Sequence, residues 1–426
     1  MDTVAGQRDG GFVVSLRVPD YRLLWISILL SASGQWTLLL GRGWLVHDLT
    51  HSSSWVGIVT FAGMVPYLLA TPIGGVFADR VDRRYVGIAM QGLSCLASIV
   101  LAALVFAGAA QAWEVVALAL LAGIGRAAET PATISLIPNV VPERYLLNAI
   151  SLNSVATFGS RLLGPAVGAL LLQFTGVGAV FAMTAGLYVF AMLCLWRVRR
   201  PETHPVSAEN IWRQNVETWR YVFIAPMMAM TFLVVGLHCA LTMSFDAVLP
   251  QFADRTLHGS SGTYGLLVMA FGAGTIAGTF SLGGLRTDTA KGPLLFATGI
   301  LSGVTTAALA LAHAPLAAFI VMAGMGASQG IFMALANTLV QEAVPDALRG
   351  RVSAAFLMGT GGVMSIANLV VGEMADRAGI GAVLLVPALL FITALLALSG
   401  VVPGLRRLYG TGSLPTMPVA ARAEGA

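Results

Sequence analysis

Leu23 to Val46 reads LLWISILLSASGQWTLLLGRGWLV, a run whose single charged side chain is Arg42. Coiled at about 1.5 Å per residue it covers about 36 Å, enough for a hydrocarbon core of about 30 Å. The pattern repeats down the chain. Trp55 to Val76, Val86 to Phe106, Trp113 to Ile137, Ala149 to Phe174 and Val177 to Trp196 complete a first set of six. A second set runs Met227 to Pro250, Gly262 to Gly283, Leu294 to Ala312, Pro315 to Gln341, Val352 to Met374 and Ile380 to Val402. The expected fold is an all-α polytopic membrane protein with twelve transmembrane helices.

Composition agrees. Charged residues make up 10% and hydrophobic residues 57% of the chain, against about 25% charged in a soluble domain. The net charge of +4 does not signal nucleic acid, because the basic residues are scattered over short connections between apolar runs. With the amino terminus in the cytoplasm, 19 of the 24 basic residues lie on inside segments, only Arg255 and Arg377 outside, and Arg42, Arg126 and Arg161 within spans. That asymmetry predicts both termini inside, in a cell membrane of the bacterial inner-membrane type. Cys95, Cys194 and Cys239 fall inside spans without paired spacing, so neither a disulfide framework nor a metal site is expected. No cofactor motif appears.

The longest inside connection, residues 197–226, contains Pro201, Pro205 and then Trp212, Val216 and Trp219 at helical spacing, and is read as a linker with a surface helix. It separates an amino-terminal bundle (1–196) from a carboxy-terminal bundle (227–402), and residues 403–426 are expected to be a disordered cytoplasmic tail. The halves echo each other. Gly74, Gly75 and Asp79 return 209 residues later as Gly283, Gly284 and Asp288, and Val141-Pro142-Glu143 returns 203 residues later as Val344-Pro345-Asp346. Two pseudo-symmetric six-helix bundles with a site between them are one of the transporter plans.

The connection after the second span, Gly75-Val76-Phe77-Ala78-Asp79-Arg80-Val81-Asp82-Arg83-Arg84, resembles the G-x-x-x-D-R-x-G-R-R/K signature of the major facilitator superfamily, with Asp82 where the pattern has its second glycine. Gly284, Asp288 and Lys291 keep a degraded copy in the second half. The resemblance implies a cytoplasmic gate formed by Gly75, Asp79, Arg80, Arg83 and Arg84 with that copy. In the fifth span, Arg161, Gly164, Pro165 and Gly168 resemble the glycine-proline motif of the superfamily's antiporters. A bent helix with tight packing suits a seal against proton leakage. Together with Asn337-Thr338-Leu339-Val340-Gln341 and the segment from Val344 to Val352, this run is similar to the branch that holds enterobactin exporters and macrolide efflux proteins.

Ionisable groups are costly inside lipid, so their placement points to a pathway. Spans 3, 6, 9 and 12 hold no interior Asp, Glu, Lys, Arg or His, whereas Gln35 and Trp36 lie on span 1, Arg126 and Glu129 on span 4, His238 and Asp246 on span 7, and Gln329 on span 10. These are the first helices of four three-helix units. The resemblance implies that this set surrounds a central cavity, with Gln35, Trp36 and Gln329 as lining candidates. Arg126 and Glu129, three residues apart, share one helical face. Two readings stay open: a carboxylate that exchanges its arginine for a proton, or a permanent bridge. His238 is either a titrating group or a packed core histidine, and Asp246 either pairs with Arg42 or reaches water. Arg161 needs a carboxylate or carbonyl partners and favours a structural role.

The only lysine, Lys291, follows Ala290, so no Walker phosphate loop exists and direct ATP use is not expected. The expected function is a secondary transporter, not an enzyme. It would export a small organic or amphipathic molecule by proton antiport and alternating access, with Glu129, Arg126, His238 and Asp246 as proton-coupling candidates. Its partners would be substrate, protons and the lipid bilayer, with no nucleic acid, and a monomer would suffice. Import or symport of a small metabolite, and a non-transporting membrane sensor, remain alternatives.

Overall fold

In hydrocarbon no solvent satisfies a peptide group, so each apolar run must close its own hydrogen bonds, and a helix is the local way to do so. The computed structural model of the chain describes residues 13–68, 82–199, 211–282 and 290–414. Ten of its helices are long and apolar enough to cross a bilayer alone. In chain order the principal helices are α1 (Pro19–Thr50), α2 (Ser53–Met64), α3 (Arg83–Phe106), α4 (Ala112–Ile134), α5 (Leu146–Phe174), α6 (Val177–Arg197) and α7 (Ile211–Ile224). They continue as α8 (Pro226–Leu241), α9 (Ser261–Ser281), α10 (Lys291–Ala310), α11 (Pro315–Glu342), α12 (Asp346–Ala378), α13 (Ile380–Val401) and α14 (Pro403–Thr411). The apolar helices α2 and α8 bring the spans to twelve, and no strand occurs among the described residues.

Local chemistry sets the ends. Pro19 and Pro315 start α1 and α11 where a missing N–H costs nothing, and Gln111 with Glu114 forms a reciprocal cap on α4. Asp82 accepts from the Arg84 amide at 3.0 Å and caps α3, so the residue that departs from the superfamily pattern starts the next helix.

Two sequence expectations need correction. The seventh span was expected to run unbroken from Met227 to Pro250, but α8 stops at Leu241 and the chain turns through residues 242–248 before a short helix at Leu249–Gln251. The Thr242 and Ser244 hydroxyls take the carbonyls of His238 and Cys239, and Asn368 on α12 accepts the freed Ala247 amide at 3.1 Å. The break survives because protein, not lipid, surrounds it. The tail is also not wholly irregular. Residues 403–411 form α14, whose Leu405 and Leu408 are buried, and Tyr409 packs its ring 5.1 Å from that of Phe296 on α10. The linker helix α7 meets α8 at 105°, with Trp219 stacked on Phe223 and edge-on to Phe232.

The principal packing of the two halves matches. In the first, α1 packs on α5 and α6, α3 on α4 and α6, and α2 on α4; in the second, α8 packs on α12 and α13, α10 on α11 and α13, and α9 on α11. A shift of six spans converts one set into the other. The halves meet along α2 with α12 and α5 with α9, and the same shift exchanges these two seams. Both seams use glycine. A Cβ on Gly57 would lie 2.7 Å from the Asn368 carbonyl, one on Gly372 2.5 Å from the Ser53 carbonyl, and one on Gly272 2.8 Å from the Arg161 carbonyl. Backbones approach this closely only where side chains are absent.

The cross-half hydrogen bonds of the described residues gather at one face, opposite the face that carries the first and last described residues. There Asp376 on α12 binds the start of α2: its oxygens accept from the Ser53 and Ser54 amides at 2.9 Å each, and from the Ser52 and Ser54 hydroxyls at 2.5 and 2.6 Å. A carboxylate thus sits on the positive end of a helix belonging to the other half. Ser53 also hydrogen-bonds Gln251, Arg255 donates to the His51 carbonyl at 3.0 Å, His47 pairs with Asp254 at 3.2 Å, and Ser261 donates to the Leu172 carbonyl.

Two outcomes follow from these seams. Gly372→Leu is expected to lower unfolding stability in detergent by about 1–3 kcal/mol, while Gly186→Ala, with open space at its Cβ position, stays within about 1 kcal/mol of wild type. Asp376→Asn is expected to raise the rate of thiol labelling of a Cys placed at Ser54 about threefold to tenfold, reporting a looser face; an unchanged rate would show that the cap holds nothing closed.

Candidate functional site

A membrane interior penalises an unpaired charge, so the partners of each buried ionisable group define what it can do. Glu129 on α4 is 1% exposed and accepts from two neighbours: Arg126 at 3.4 Å and Gln91 on α3 at 2.9 Å. Gln91 also donates to the Ser27 hydroxyl on α1 at 3.1 Å. Tyr67, just beyond α2, faces Arg126, and its hydroxyl accepts from Gln35 at 3.2 Å. Tyr188 on α6 faces the same pair and closes it from behind, its ring packed against Gly34. Five helices of the first half therefore hold one carboxylate–guanidinium pair. The pair is not saturated, because Arg126 Nε and Gln91 Oε1 have no hydrogen-bond partner among the described residues.

A second charged group spans the halves. Asp246 lies in the turn after α8 and feels two cations of the first half, Arg42 on α1 and Arg161 on α5. Arg42 is buried over the bare Cα of Gly63 on α2, where any Cβ would collide with its guanidinium. Arg161 lays its guanidinium over the Trp36 ring, 4.8 Å from the centroid. Tyr264 on α9 sits beside Arg42 and Asp246, with its hydroxyl against Gly43. Trp36, Arg161, Arg42 and Asp246 thus come together at the meeting of the halves, while Gln35 links α1 to the Glu129 network.

The remaining candidates fall elsewhere. His238 is fully buried inside the second half, stacked on Phe332 at 4.1 Å and edge-on to Phe391, with Nε2 3.0 Å from the Ser302 hydroxyl. Ser302 donates to Thr242, and Gln329 donates to the Thr242 carbonyl at 3.0 Å, so both residues brace the end of α8. None of these contacts connects His238 to Glu129.

In α5, Gly164 would carry its Cβ into the Ser33 carbonyl and Gly168 packs on Thr37 and Leu40, so the glycine-proline run, with Pro165 inside the helix, seats α5 against α1. Of the gate motif, Gly75, Asp79, Arg80, Gly284 and Asp288 lie outside the described residues. Arg83 donates to the Ser135 carbonyl at 3.4 Å and Arg84 to the Val198 carbonyl, both within the first half. Lys291 pairs with Glu342 at 2.6 Å within the second.

Sequence reading missed Gln91, Tyr67, Tyr188, Asp376 and the His47–Asp254 pair. Gln91 escaped because the third span holds no interior Asp, Glu, Lys, Arg or His, although its lone glutamine was a usable signal. Asp376 and Asp254 fall in connections between the expected spans. Only the docking of the halves places them on their partners.

The comparisons with known proteins agree with this architecture. Residues 12–414 match the transmembrane secretion effector family. The chain is 28% identical over 384 residues to the multidrug efflux pump Tap of Mycolicibacterium fortuitum, covering 85% of this chain and 91% of that one. It is 24% identical over 337 residues to the enterobactin exporter EntS of Citrobacter koseri, covering 79% and 80%. Among solved structures, a bacterial homologue of the human lysosomal transporter Spinster, in an inward-facing and unoccupied conformation, superposes with a TM-score of 0.68 at 14% identity over 94% of this chain and 98% of that one. That last likeness speaks to the fold alone. With two six-helix halves, paired seams and a family match over nearly its whole length, the chain belongs to the transmembrane secretion effector family of the major facilitator superfamily and is a multi-pass membrane transporter of small molecules, not an enzyme.

Proposed function

We propose that the chain exports a small amphipathic organic molecule, of the drug or siderophore class, across a bacterial cell membrane in exchange for protons. Export is the reading favoured by relatives that are named as a multidrug efflux pump and an enterobactin exporter. The bias of basic residues favours both termini in the cytoplasm, which makes the face that carries the Asp376 cap the outer one. Alternating access then requires the Asp376 cap and its neighbours to part while the opposite face closes.

The observation that carries proton coupling is the Glu129 carboxylate, 1% exposed and held by Arg126 and Gln91. When Glu129 takes a proton it loses its charge, and the Arg126 guanidinium is released to bind an anionic or electron-rich group of the substrate. When substrate leaves, Arg126 returns to the carboxylate and the proton departs. Arg126 is 14% exposed, more open than its partner, as a residue that meets substrate should be. The Arg161–Trp36 stack and Asp246 add a cation, an aromatic face and a second carboxylate, a surface suited to molecules with both rings and polar groups. Each proton moved down a 100 mV potential supplies about 2.3 kcal/mol. One chain contains a complete set of these groups, so a monomer suffices.

Proteoliposome flux with a panel of dyes, macrolides and catecholate siderophores tests the scheme. Glu129→Gln is expected to lose pH-gradient-driven flux by about tenfold or more while keeping substrate counterflow within about threefold of wild type, because the neutral amide still accepts from Gln91 and mimics the protonated state. Driven flux at the wild-type rate would remove Glu129 from coupling. Arg126→Gln is expected to weaken both modes together, since it removes a substrate contact and leaves Glu129 without its cation. Counterflow at the wild-type rate in Arg126→Gln would exclude the guanidinium from substrate binding.

A further inference from the structure

The face that carries the Asp376 cap also holds a cluster of possible metal ligands that the transport scheme does not use. His47 lies in the last turn of α1 and His51 is the residue that ends it, in left-handed backbone at φ 51°. Asp254 comes from the other half, on a π-helical turn at Phe252–Thr256. The ligating atoms of the three side chains all lie within 4.8 Å of one another. Two histidines four residues apart, the second just past the helix end, joined by a carboxylate from elsewhere, supply donors that zinc accepts.

The geometry is close to what a metal requires. Two tetrahedral ligands at about 2.0–2.1 Å from zinc stand about 3.3 Å apart, and His47 Nε2 lies 3.2 Å from Asp254 Oδ2. The imidazole is held in place. His47 is 1% exposed, Trp44 flanks it at 5.7 Å and the His51 ring meets it edge-on at 5.9 Å. Its Nδ1 is buried without a hydrogen-bond partner. When the ring proton sits on Nδ1, the Nε2 lone pair and the Asp254 oxygen face each other, and a cation between them relieves the repulsion. His51 is exposed and Asp254 partly so, which leaves an open side for entry and for a water as fourth ligand. The neighbouring cation, Arg255, donates to the His51 carbonyl.

We propose that His47, His51 and Asp254 form a binding site for a divalent transition metal, zinc above all, that bridges the two halves at the face of the Asp376 cap. Imidazole and carboxylate ligands favour zinc or copper over magnesium or calcium. Because His47 and His51 belong to the first half and Asp254 to the second, a bound ion fastens the halves together in the arrangement seen here. It acts as a brake on the cycle, a consequence that rests on the alternating-access reading above; binding itself does not.

Full-length protein without a polyhistidine tag, purified in detergent and titrated with Co2+, separates the two claims. Wild type is expected to show one equivalent of cobalt with the visible absorption of a tetrahedral site, displaced by Zn2+. His51→Ala and Asp254→Asn, both on accessible side chains, are each expected to weaken binding about tenfold or more, whereas His258→Ala and His313→Ala leave the titration unchanged. Absence of the tetrahedral band, or equal binding by Asp254→Asn, would overturn the site. In proteoliposomes, micromolar Zn2+ is expected to slow flux by wild type but not by His51→Ala. Equal inhibition of both would overturn the brake. Should the wild type carry no flux at all, the transport scheme fails while the cobalt titration still decides the site.

Discussion

Hydrocarbon does not hydrogen-bond, and nearly every feature of this chain follows from that constraint. It imposes the helical form of the spans, limits breaks to places that protein encloses, and makes each buried charge find a partner. The turn after α8 shows the rule at work. Its freed backbone is taken up by the Thr242 and Ser244 hydroxyls and by Asn368, a residue of another helix. Asp246 owes its position between the halves to that break, because a continuous helix would have carried it elsewhere.

The halves are joined in two different ways, and the difference matters for motion. The α2–α12 and α5–α9 seams rest on glycine against backbone, smooth surfaces that slide or rock without side chains interlocking. The face of the Asp376 cap instead rests on a few charge-assisted bonds from that carboxylate to the α2 start and on the His47–Asp254 pair. Such contacts are individually modest where water reaches them, so they can be exchanged for others at the opposite face. A transporter needs two arrangements of similar free energy, and a dry glycine seam with a wet polar latch meets that need.

The charges inside are divided along the same lines. Glu129 and Arg126 are supported entirely within the first half, by Gln91 and their own helix. Arg42, Arg161 and Asp246 are split between halves, so their interaction depends on how the halves sit. His238, by contrast, lies among Phe332, Phe391 and Ser302, apart from both charged groups. Titratability in a peptide says little about a ring stacked in an apolar core.

Much of the fold was legible beforehand because its causes are local. Apolar length marked the spans, and the 209- and 203-residue echoes marked the duplication. Arg126 and Glu129 were legible as a pair because three residues along a helix is already a spatial statement. What stayed hidden depends on neighbours distant in sequence. That Gln91 would hold Glu129, that Asp376 would cap α2 across 322 residues, that α8 would break before Asp246, and that Leu405 and Leu408 would order the start of the tail all require other helices to be in place. The sequence by itself determined how many times the chain crosses and where charge is tolerated, since the energy of burying a residue in lipid depends mainly on that residue and its helical neighbours. Which charges meet, and at which face the described residues bond one half to the other, only the tertiary structure decided, because a hydrogen bond between halves exists in one docking of those halves and not in another.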